Sequence, residues 1–212
     1  MRGLEELQRK ALEGQGIDGE EARWLLSLPR GTDEAIMEVA SRVRERFFSN
    51  VVELCAIVNA KSGICTEDCA FCAQSRVSRA RVERYGLLSV DRLVQAARAA
   101  RIAGAHRFSI VTSGRRLSRA ELRRVCEAVR CIRREVGIEV DVSIGALDRE
   151  GAGLLREAGV GYCHHNLETS PGFFGRICTT HSFRERLETI RAARAVGLEV
   201  CSGGIFGLGE DD

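Results

Sequence analysis

The sequence predicts an α/β protein, a parallel (βα) barrel of the TIM type that is incomplete and follows a short helical segment. From residue 51 onward, β-branched or apolar runs alternate with amphipathic helical stretches, which is typical of parallel strands joined by helices. Each apolar run also ends in a polar, Gly-rich or Cys-rich loop. Chemistry at the carboxyl ends of successive strands favours a barrel, although an open doubly wound sheet uses the same edge.

Composition limits the class of protein. The 212 residues carry a net charge of +2, are 44% hydrophobic and include nine cysteines, so a disordered chain is excluded. No apolar run approaches the length of a membrane span, about 18 residues, and the near-neutral charge gives no indication of a nucleic-acid or membrane partner. Residues 2–24 are too charged for a secretory signal. We therefore expect a cytoplasmic protein with reduced thiols, whose cysteines serve a metal site, a redox role or core packing.

The first domain, residues 1–50, is predicted to be helical. Glycines separate two short amphipathic stretches, and Thr32 or Asp33 is a suitable N-cap for a third. The predicted helices cover residues 4–13, 19–28 and 33–46.

The second domain, residues 51–212, contains the predicted βα units. Its strands are expected at residues 51–58, 107–112, 139–144, 161–167 and 199–206, and its helices at residues 89–103, 118–136, 149–158 and 182–196. Four helices end at a glycine that permits a left-handed cap, namely Gly104, Gly137, Gly159 and Gly197. Capping boxes start two helices, at Ser118 with Glu121 and at Ser182 with Glu185. Five strands fall short of the eight of a full barrel, so we expect the chain to be a fragment that is poorly soluble or inactive alone.

The strongest chemical signal is a set of three cysteines on the loop after the first predicted strand. Cys65, Cys69 and Cys72 have the spacing C-x3-C-x2-C. Structural zinc sites normally use four protein ligands. Three thiolates suit a [4Fe–4S] cluster in which one iron is left open for another ligand.

These cysteines and several further motifs resemble the biotin synthase family of radical S-adenosylmethionine (SAM) enzymes. The matching segments are residues 61–65, 65–72, 73–75, 107–108, 165–171, 179–180 and 200–205. The resemblance implies that Cys65, Cys69 and Cys72 hold a [4Fe–4S] cluster whose open iron binds SAM. It further implies that the radical formed from SAM removes hydrogen from dethiobiotin, and that sulfur from an auxiliary cluster completes biotin.

The resemblance also assigns roles to three polar residues. Asn166 matches a position that contacts both substrate and SAM, Glu168 one that meets the ribose, and Arg186 one that reaches the methionine carboxylate. Without the resemblance, Asn166 and Glu168 could be ordinary loop residues. Arg186, among other arginines of its helix, could belong to a solvated face.

The sequence departs from the family at the auxiliary cluster. The family's usual ligands are three cysteines and an arginine. The three cysteine positions hold Ser109, Asp141 and Cys201 here, and the arginine is expected on a later strand, beyond Asp212. Serine and aspartate are poor substitutes for thiolates. In one interpretation Cys201 ligates an auxiliary cluster of uncertain type with other thiols, Cys178 first and Cys163 second. In the other, the protein performs different radical chemistry.

The remaining cysteines and two further residues have less specific interpretations. Cys55 and Cys126 are expected in the core and Cys131 has no assigned role. Lys61 could raise the positive potential beside the cysteine loop or only position that loop. His181 could touch the site or serve a turn.

Two alternative functions stay open. One is a related radical SAM enzyme, such as a maturase or a methylornithine synthase-like mutase. The other is an iron–sulfur electron carrier, although carriers normally ligate every iron with protein. The resemblance implies dethiobiotin as substrate, a flavodoxin- or ferredoxin-type electron donor, iron–sulfur assembly proteins as partners, and a homodimer at full length.

Overall fold

A computed structural model describes residues 2–211, in two compact units. The first unit comprises the chain up to Val52 and contains α1 (Arg2–Leu12), α2 (Gly19–Leu26) and α3 (Asp33–Phe48). Asp18 caps α2 and forms a capping box with Glu21. The helix was predicted from the sequence, but its capping box was not. Buried Leu4 and Leu7 lie on α1, which packs against α3.

The second unit, Glu53–Glu210, is an α/β unit with one parallel sheet in the order β1-β2-β3-β4-β5. The strands are β1 (Cys55–Lys61), β2 (Arg107–Thr112), β3 (Glu139–Ser143), β4 (Val160–His164) and β5 (Glu199–Cys201). The helices are α4 (Val90–Ile102), α5 (Arg119–Glu135), α6 (Arg149–Ala158), α7 (Phe174–Ile177) and α8 (Phe183–Ala195). This confirms the parallel α/β fold class, and within residues 2–211 the sheet does not close into a barrel.

The strand boundaries differ from the predictions most at the two edges of the sheet, and β4 ends at His164 rather than at residue 167. β1 begins at Cys55 rather than at residue 51, and β5 covers three residues rather than eight. An edge strand has one neighbour to hold it in the ladder, so an apolar run there extends beyond the paired residues. The short helix α7 was not predicted, because four residues carry too little periodicity to be recognised.

The glycines that end helices and the two capping boxes lie at the positions predicted from the sequence. Gly104, Gly137, Gly159 and Gly197 have φ of 89°, 67°, 100° and 79°, in the left-handed region that favours glycine. Both predicted capping boxes are present, at the starts of α5 and α8. The local signals that end one element and begin the next are therefore strong in this chain.

The core lies between the sheet and the helices, and it fixes the direction of the strand side chains. Phe108 and Ile110 of β2 and Val140 and Val142 of β3 are buried in that core. Because side chains alternate along a strand, the residues between them face the opposite, concave side of the sheet. That concave face corresponds to the interior of a barrel.

The helices of the described residues are too short or too polar to span a membrane.

Candidate functional site

A cavity of about 390 Å³ lies at the carboxyl ends of the strands, and it brings most of the predicted site residues together. Its wall includes all three cysteines of the loop, Cys65, Cys69 and Cys72. Asn166, Glu168, Arg186 and Cys201 line the same cavity. Residues more than 130 positions apart in the sequence thus meet in one space, as the carboxyl ends of parallel strands do.

The cysteine loop is fastened to the segment that precedes α8. Asp68 accepts hydrogen bonds from the backbone N–H groups of Thr179 (2.9 Å) and Thr180 (3.2 Å), and from the Thr179 hydroxyl. These bonds hold the pKa of Asp68 well below its usual range. We call these contacts of residues 67–68 with residues 179–181 the loop clasp.

Glu67 completes the loop clasp from a buried position. Its carboxylate accepts from the Thr180 hydroxyl at 2.8 Å and lies 2.7 Å from His181 Nδ1. Burial alone would raise the pKa of Glu67, but the hydrogen bonds from Thr180 and His181 more than offset it, and the pKa is lowered. His181 therefore holds the loop and also lines the cavity, which supports its contact with the site, whereas its suggested role in a turn stays a prediction.

A small apolar cluster lies behind the loop. It consists of buried Cys69, Phe174 and Cys178, with Phe71, Cys72 and Phe183 packed against it. The Ala70 N–H donates to the Ile177 carbonyl at 2.8 Å, so the end of α7 is tied to the loop. Helix α7, absent from the sequence prediction, is thus part of the support of the cysteines.

Cys69 is the most deeply placed of the three loop thiols. Burial, together with the neighbouring Cys178, raises its pKa to about 12. The Sγ atoms of these two residues are 3.8 Å apart. Without a metal, Cys69 is therefore a neutral thiol, and metal binding would release its proton.

Glu168 and Arg186 form an ion pair in the same cavity. Arg186 Nη1 donates to the Asn166 carbonyl oxygen at 2.8 Å and to Glu168 Oε1 at 3.3 Å. Burial raises the pKa of Glu168, with Arg186 acting in the opposite direction. Within residues 2–211, Glu168 is also one of two non-glycine residues with positive φ, at 70°. Such strain is commonly found at functional sites.

The backbone around Glu168 requires a glycine on the neighbouring segment. Ile205 N–H donates to the Glu168 carbonyl at 2.7 Å, and Glu168 N–H donates to the Gly203 carbonyl at 3.2 Å. A Cβ atom on Gly204 would lie 2.7 Å from the Glu168 carbonyl oxygen. The Gly-rich segment after β5 therefore positions the acidic side of the cavity.

His165 is a cavity residue to which the sequence analysis gave no role. Burial lowers its pKa to about 4, and the charges of Arg186 and His181 act in the same direction. The imidazole is consequently neutral at pH 7. Its position just after β4, among residues already expected at the site, was the available signal.

A family model described as the radical SAM superfamily matches residues 60–212, which cover the loop, the cavity and the sheet. The chain belongs to the radical SAM superfamily. The match confirms the family resemblance of the sequence, and membership implies a [4Fe–4S] cluster and SAM as cofactors.

Similar proteins agree with this membership. The biotin synthase of Geobacter sulfurreducens is 50% identical over 208 residues, which cover 97% of this chain and 63% of that protein. The biotin synthase of Heliobacterium modesticaldum is 50% identical over 197 residues, covering 93% of this chain and 60% of that protein. The chain thus spans somewhat over half the length of these curated relatives.

Solved structures support the fold of this radical SAM chain. A methylornithine synthase superimposes with a TM-score of 0.82 at 25% identity, covering 97% of this chain and 60% of that protein. An FeFe-hydrogenase maturase from Carboxydothermus hydrogenoformans superimposes with a TM-score of 0.81 at 24% identity. The alignment covers 99% of this chain and 49% of that protein. The second similarity, at that identity, concerns the fold alone.

The residues of this radical SAM chain fit the implied cofactors. The loop offers three thiols, which is one fewer than the four iron atoms of a [4Fe–4S] cluster, so one iron can take a non-protein ligand. Arg186 Nε is buried and has no hydrogen-bond partner in the described part of the chain. Such a donor suits the carboxylate of an amino-acid cofactor. Glu168 offers carboxylate oxygens, which accept hydrogen bonds of the kind that ribose hydroxyl groups donate.

The other cysteines are less uniformly placed than the sequence suggested. Cys126 is buried in the core, as expected. Cys55 is exposed at the first position of β1, so its expected core position is wrong. Cys163 is buried among the core residues, on the helix side of β4. The cavity wall includes Cys201 but not Cys178, which lies behind Cys69.

Lys61 has a structural partner. Its Nζ atom is 2.6 Å from Glu121 Oε1, in the capping box of α5. This contact supports the second interpretation of Lys61, in which the residue positions the loop that follows β1.

Proposed function

We propose that the protein containing this chain is a biotin synthase, which converts dethiobiotin to biotin by inserting sulfur. The observation that carries the proposal is one cavity holding the three cysteines, Glu168 and Arg186, in a chain about 50% identical to curated biotin synthases. The electron donor would be of the flavodoxin or ferredoxin type. Iron–sulfur assembly proteins as partners, a homodimer and a cytoplasmic location also belong to this proposal.

The side chains that line the cavity would bind different parts of the cofactors. Cys65, Cys69 and Cys72 would hold the cluster, while Arg186 would pair with the SAM carboxylate and Glu168 with the ribose. When bound, the cluster and SAM supply the electron and the carbon-centred radical that removes hydrogen from the substrate.

The charges of the residues that line the cavity agree with these roles. Arg186 already neutralises Glu168, and its free Nε leaves one donor for a second carboxylate. Neutral His165 adds no positive charge beside Arg186. Its uncharged ring can contact a substrate without paying the cost of burying a second cation.

The test is product analysis with dethiobiotin. The protein is reconstituted anaerobically with iron and sulfide, then supplied with SAM and a reductant, and biotin is measured by mass spectrometry. We expect biotin together with methionine, and neither from the Cys65→Ala variant. The matched control is Cys131→Ala, on the helix side of the sheet, which should keep full activity.

The same assay separates the alternatives. SAM cleavage without biotin would favour a related radical enzyme, such as a mutase or a maturase, and would contradict the proposal. An iron–sulfur carrier without enzyme activity would leave SAM uncleaved and unbound.

A further inference from the structure

Cys55 faces the concave side of the sheet. Its neighbours on β1, Ala56 and Val58, pack against the core under the helices. Alternation along the strand turns Cys55 and Ile57 to the other face, and both are exposed there. The concave face is the one on which Asp141 and Cys201 also lie, because Val140, Val142 and Val200 pack toward the core.

Strand register places these three residues in one layer of the barrel interior. Cys55 pairs with Arg107 and Arg107 with Glu139, and Asp141 lies two residues beyond Glu139 on β3. Tilted barrel strands shift each interior layer by about one residue per strand, and one layer takes its side chains from alternate strands.

The same shift of about one residue per strand places Cys201 of β5 in this layer. The Tyr162 N–H donates to Asp141 Oδ1 at 3.0 Å, and Tyr162 pairs with Glu199, two residues before Cys201. Cys55, Asp141 and Cys201 therefore occupy equivalent positions on β1, β3 and β5.

Asp141 is not free to bind a metal in this layer. Arg107 donates to both of its carboxylate oxygens, from Nε at 2.8 Å and from Nη2 at 2.5 Å, and the pair is stacked on the Tyr162 ring. Burial would raise the pKa of Asp141, but the nearby His164 and the hydrogen bonds from Arg107 lower it below its usual value. The carboxylate is thus an ionised partner of arginine.

Ser109 offers no better ligand. Its hydroxyl oxygen is buried and has no hydrogen-bond partner within residues 2–211. A hydroxyl is a hard donor and a poor match for iron in a sulfide cluster, whereas thiolates are soft donors that suit it. The soft donors on the concave strand faces are Cys55 and Cys201.

We propose that Cys55, together with Cys201, is a thiolate ligand of an auxiliary iron–sulfur cluster in the barrel interior. The proposal rests on the proposed function for the presence of an auxiliary cluster, and it deepens that function by naming a ligand. It replaces Cys178, which is buried beside Cys69 and lies on none of the strands, as the partner of Cys201.

The experiment removes the loop cluster and counts what remains. The Cys65→Ala/Cys69→Ala/Cys72→Ala variant of the full protein is reconstituted anaerobically with iron and sulfide. We expect it to keep an iron–sulfur absorption spectrum and bound iron. Adding Cys55→Ser or Cys201→Ser should remove at least half of that iron, and the matched addition of Cys131→Ser should leave it unchanged.

Alkylation gives a second measurement that does not need a variant to fold. In the reconstituted wild-type protein, Cys55 should react with iodoacetamide at least tenfold more slowly than after the iron is removed by a chelator. Cys131 should react equally in both samples.

Each outcome decides the proposal. It is overturned if the loop variant binds no iron, if Cys55→Ser leaves bound iron unchanged while Cys201→Ser lowers it, or if Cys55 alkylates at one rate with and without iron. The measured quantities are the bound iron, the iron–sulfur absorption spectrum and the alkylation rate of Cys55, none of which depends on biotin formation. A protein that makes no biotin but shows Cys55-dependent iron would refute the proposed function and retain this ligand.

Discussion

At the scale of single residues, the loop clasp explains how the cysteine loop keeps its shape. Asp68 has no thiol, yet its carboxylate accepts hydrogen bonds from the consecutive backbone N–H groups of Thr179 and Thr180. Residues that orient metal ligands from the next layer commonly change metal affinity by about 10–100-fold when they are removed. Asp68 is therefore a positioning residue for the cluster.

We expect Asp68→Ala to weaken cluster retention. Because its hydrogen bonds fix the loop, the variant should lose iron to a chelator about tenfold faster than the wild type. The measurement is the decay of the iron–sulfur absorption under anaerobic conditions. The control is Asp91→Ala on the surface of α4, and equal decay rates for all three proteins would show that the clasp does not support the cluster.

His165 predicts a pH dependence of stability. Its pKa is lowered from 6.5 to about 4 in the folded protein, so between these values the unfolded chain binds a proton that the folded chain does not. The free energy of unfolding should therefore fall as pH drops from about 7 to about 4, and level off below that for this group. The loss is at most about 3 kcal/mol, since one pKa unit corresponds to about 1.4 kcal/mol.

Urea denaturation of the metal-free protein at several pH values measures this effect. His165→Gln should flatten the slope between pH 7 and pH 5, where the carboxylates still change little. His106→Gln, at a site where the imidazole accepts a backbone N–H, is the comparison variant. A slope that is unchanged in His165→Gln would contradict the assignment to this residue.

At the scale of elements, the segment after β5 depends on one close backbone approach. A methyl group on Gly204 would press on the Glu168 carbonyl oxygen at 2.7 Å. We expect Gly204→Ala to destabilise the protein by about 1–3 kcal/mol, as overpacking does, and to weaken SAM binding by displacing Glu168. Thermal unfolding and SAM titration measure the two effects.

Gly153 provides the matched control. It lies inside α6, and a Cβ atom there would meet no atom within 4 Å. Gly153→Ala should therefore stabilise the protein by up to about 1 kcal/mol through helix propensity. If both alanine variants behaved alike, the contact between Gly204 and Glu168 would not be the cause.

The elements show which parts of the fold are determined locally. Helix stops such as Gly159 and capping boxes such as Ser118 with Glu121 depend on a few neighbouring residues, and the sequence located them correctly. Strand ends at the sheet edges depend on pairing partners, so β5 was predicted too long.

The candidate site divides in the same way. The spacing of Cys65, Cys69 and Cys72 is a local pattern within one loop, so the sequence shows it directly. The loop clasp joins Asp68 to residues more than 100 positions away, and the sequence does not show such a contact. The direction of Cys55 depends on which side of β1 the helices cover, and an apolar neighbourhood in the sequence does not reveal that. For the same reason the sequence placed Cys55 in the core.

At the scale of the whole molecule, the described chain presents a parallel sheet with two outer strands, β1 and β5. Unpaired strand edges are templates for association with other chains. The concave face adds apolar surface near one edge, where Ile57 is 70% exposed. These features together favour self-association of the 212-residue chain.

We expect the purified 212-residue chain to sediment as dimers or larger species at micromolar concentration, and to bind a dye that reports exposed apolar surface. Ile57→Lys should shift the population toward monomer, because a charge on an edge strand opposes pairing. Ile102→Lys, at an 88% exposed position on α4 at the helix layer, is the control and should sediment like the wild type. A wild-type chain that is monomeric and binds no dye would mean that the strand edges and Ile57 are protected by contacts other than strand pairing.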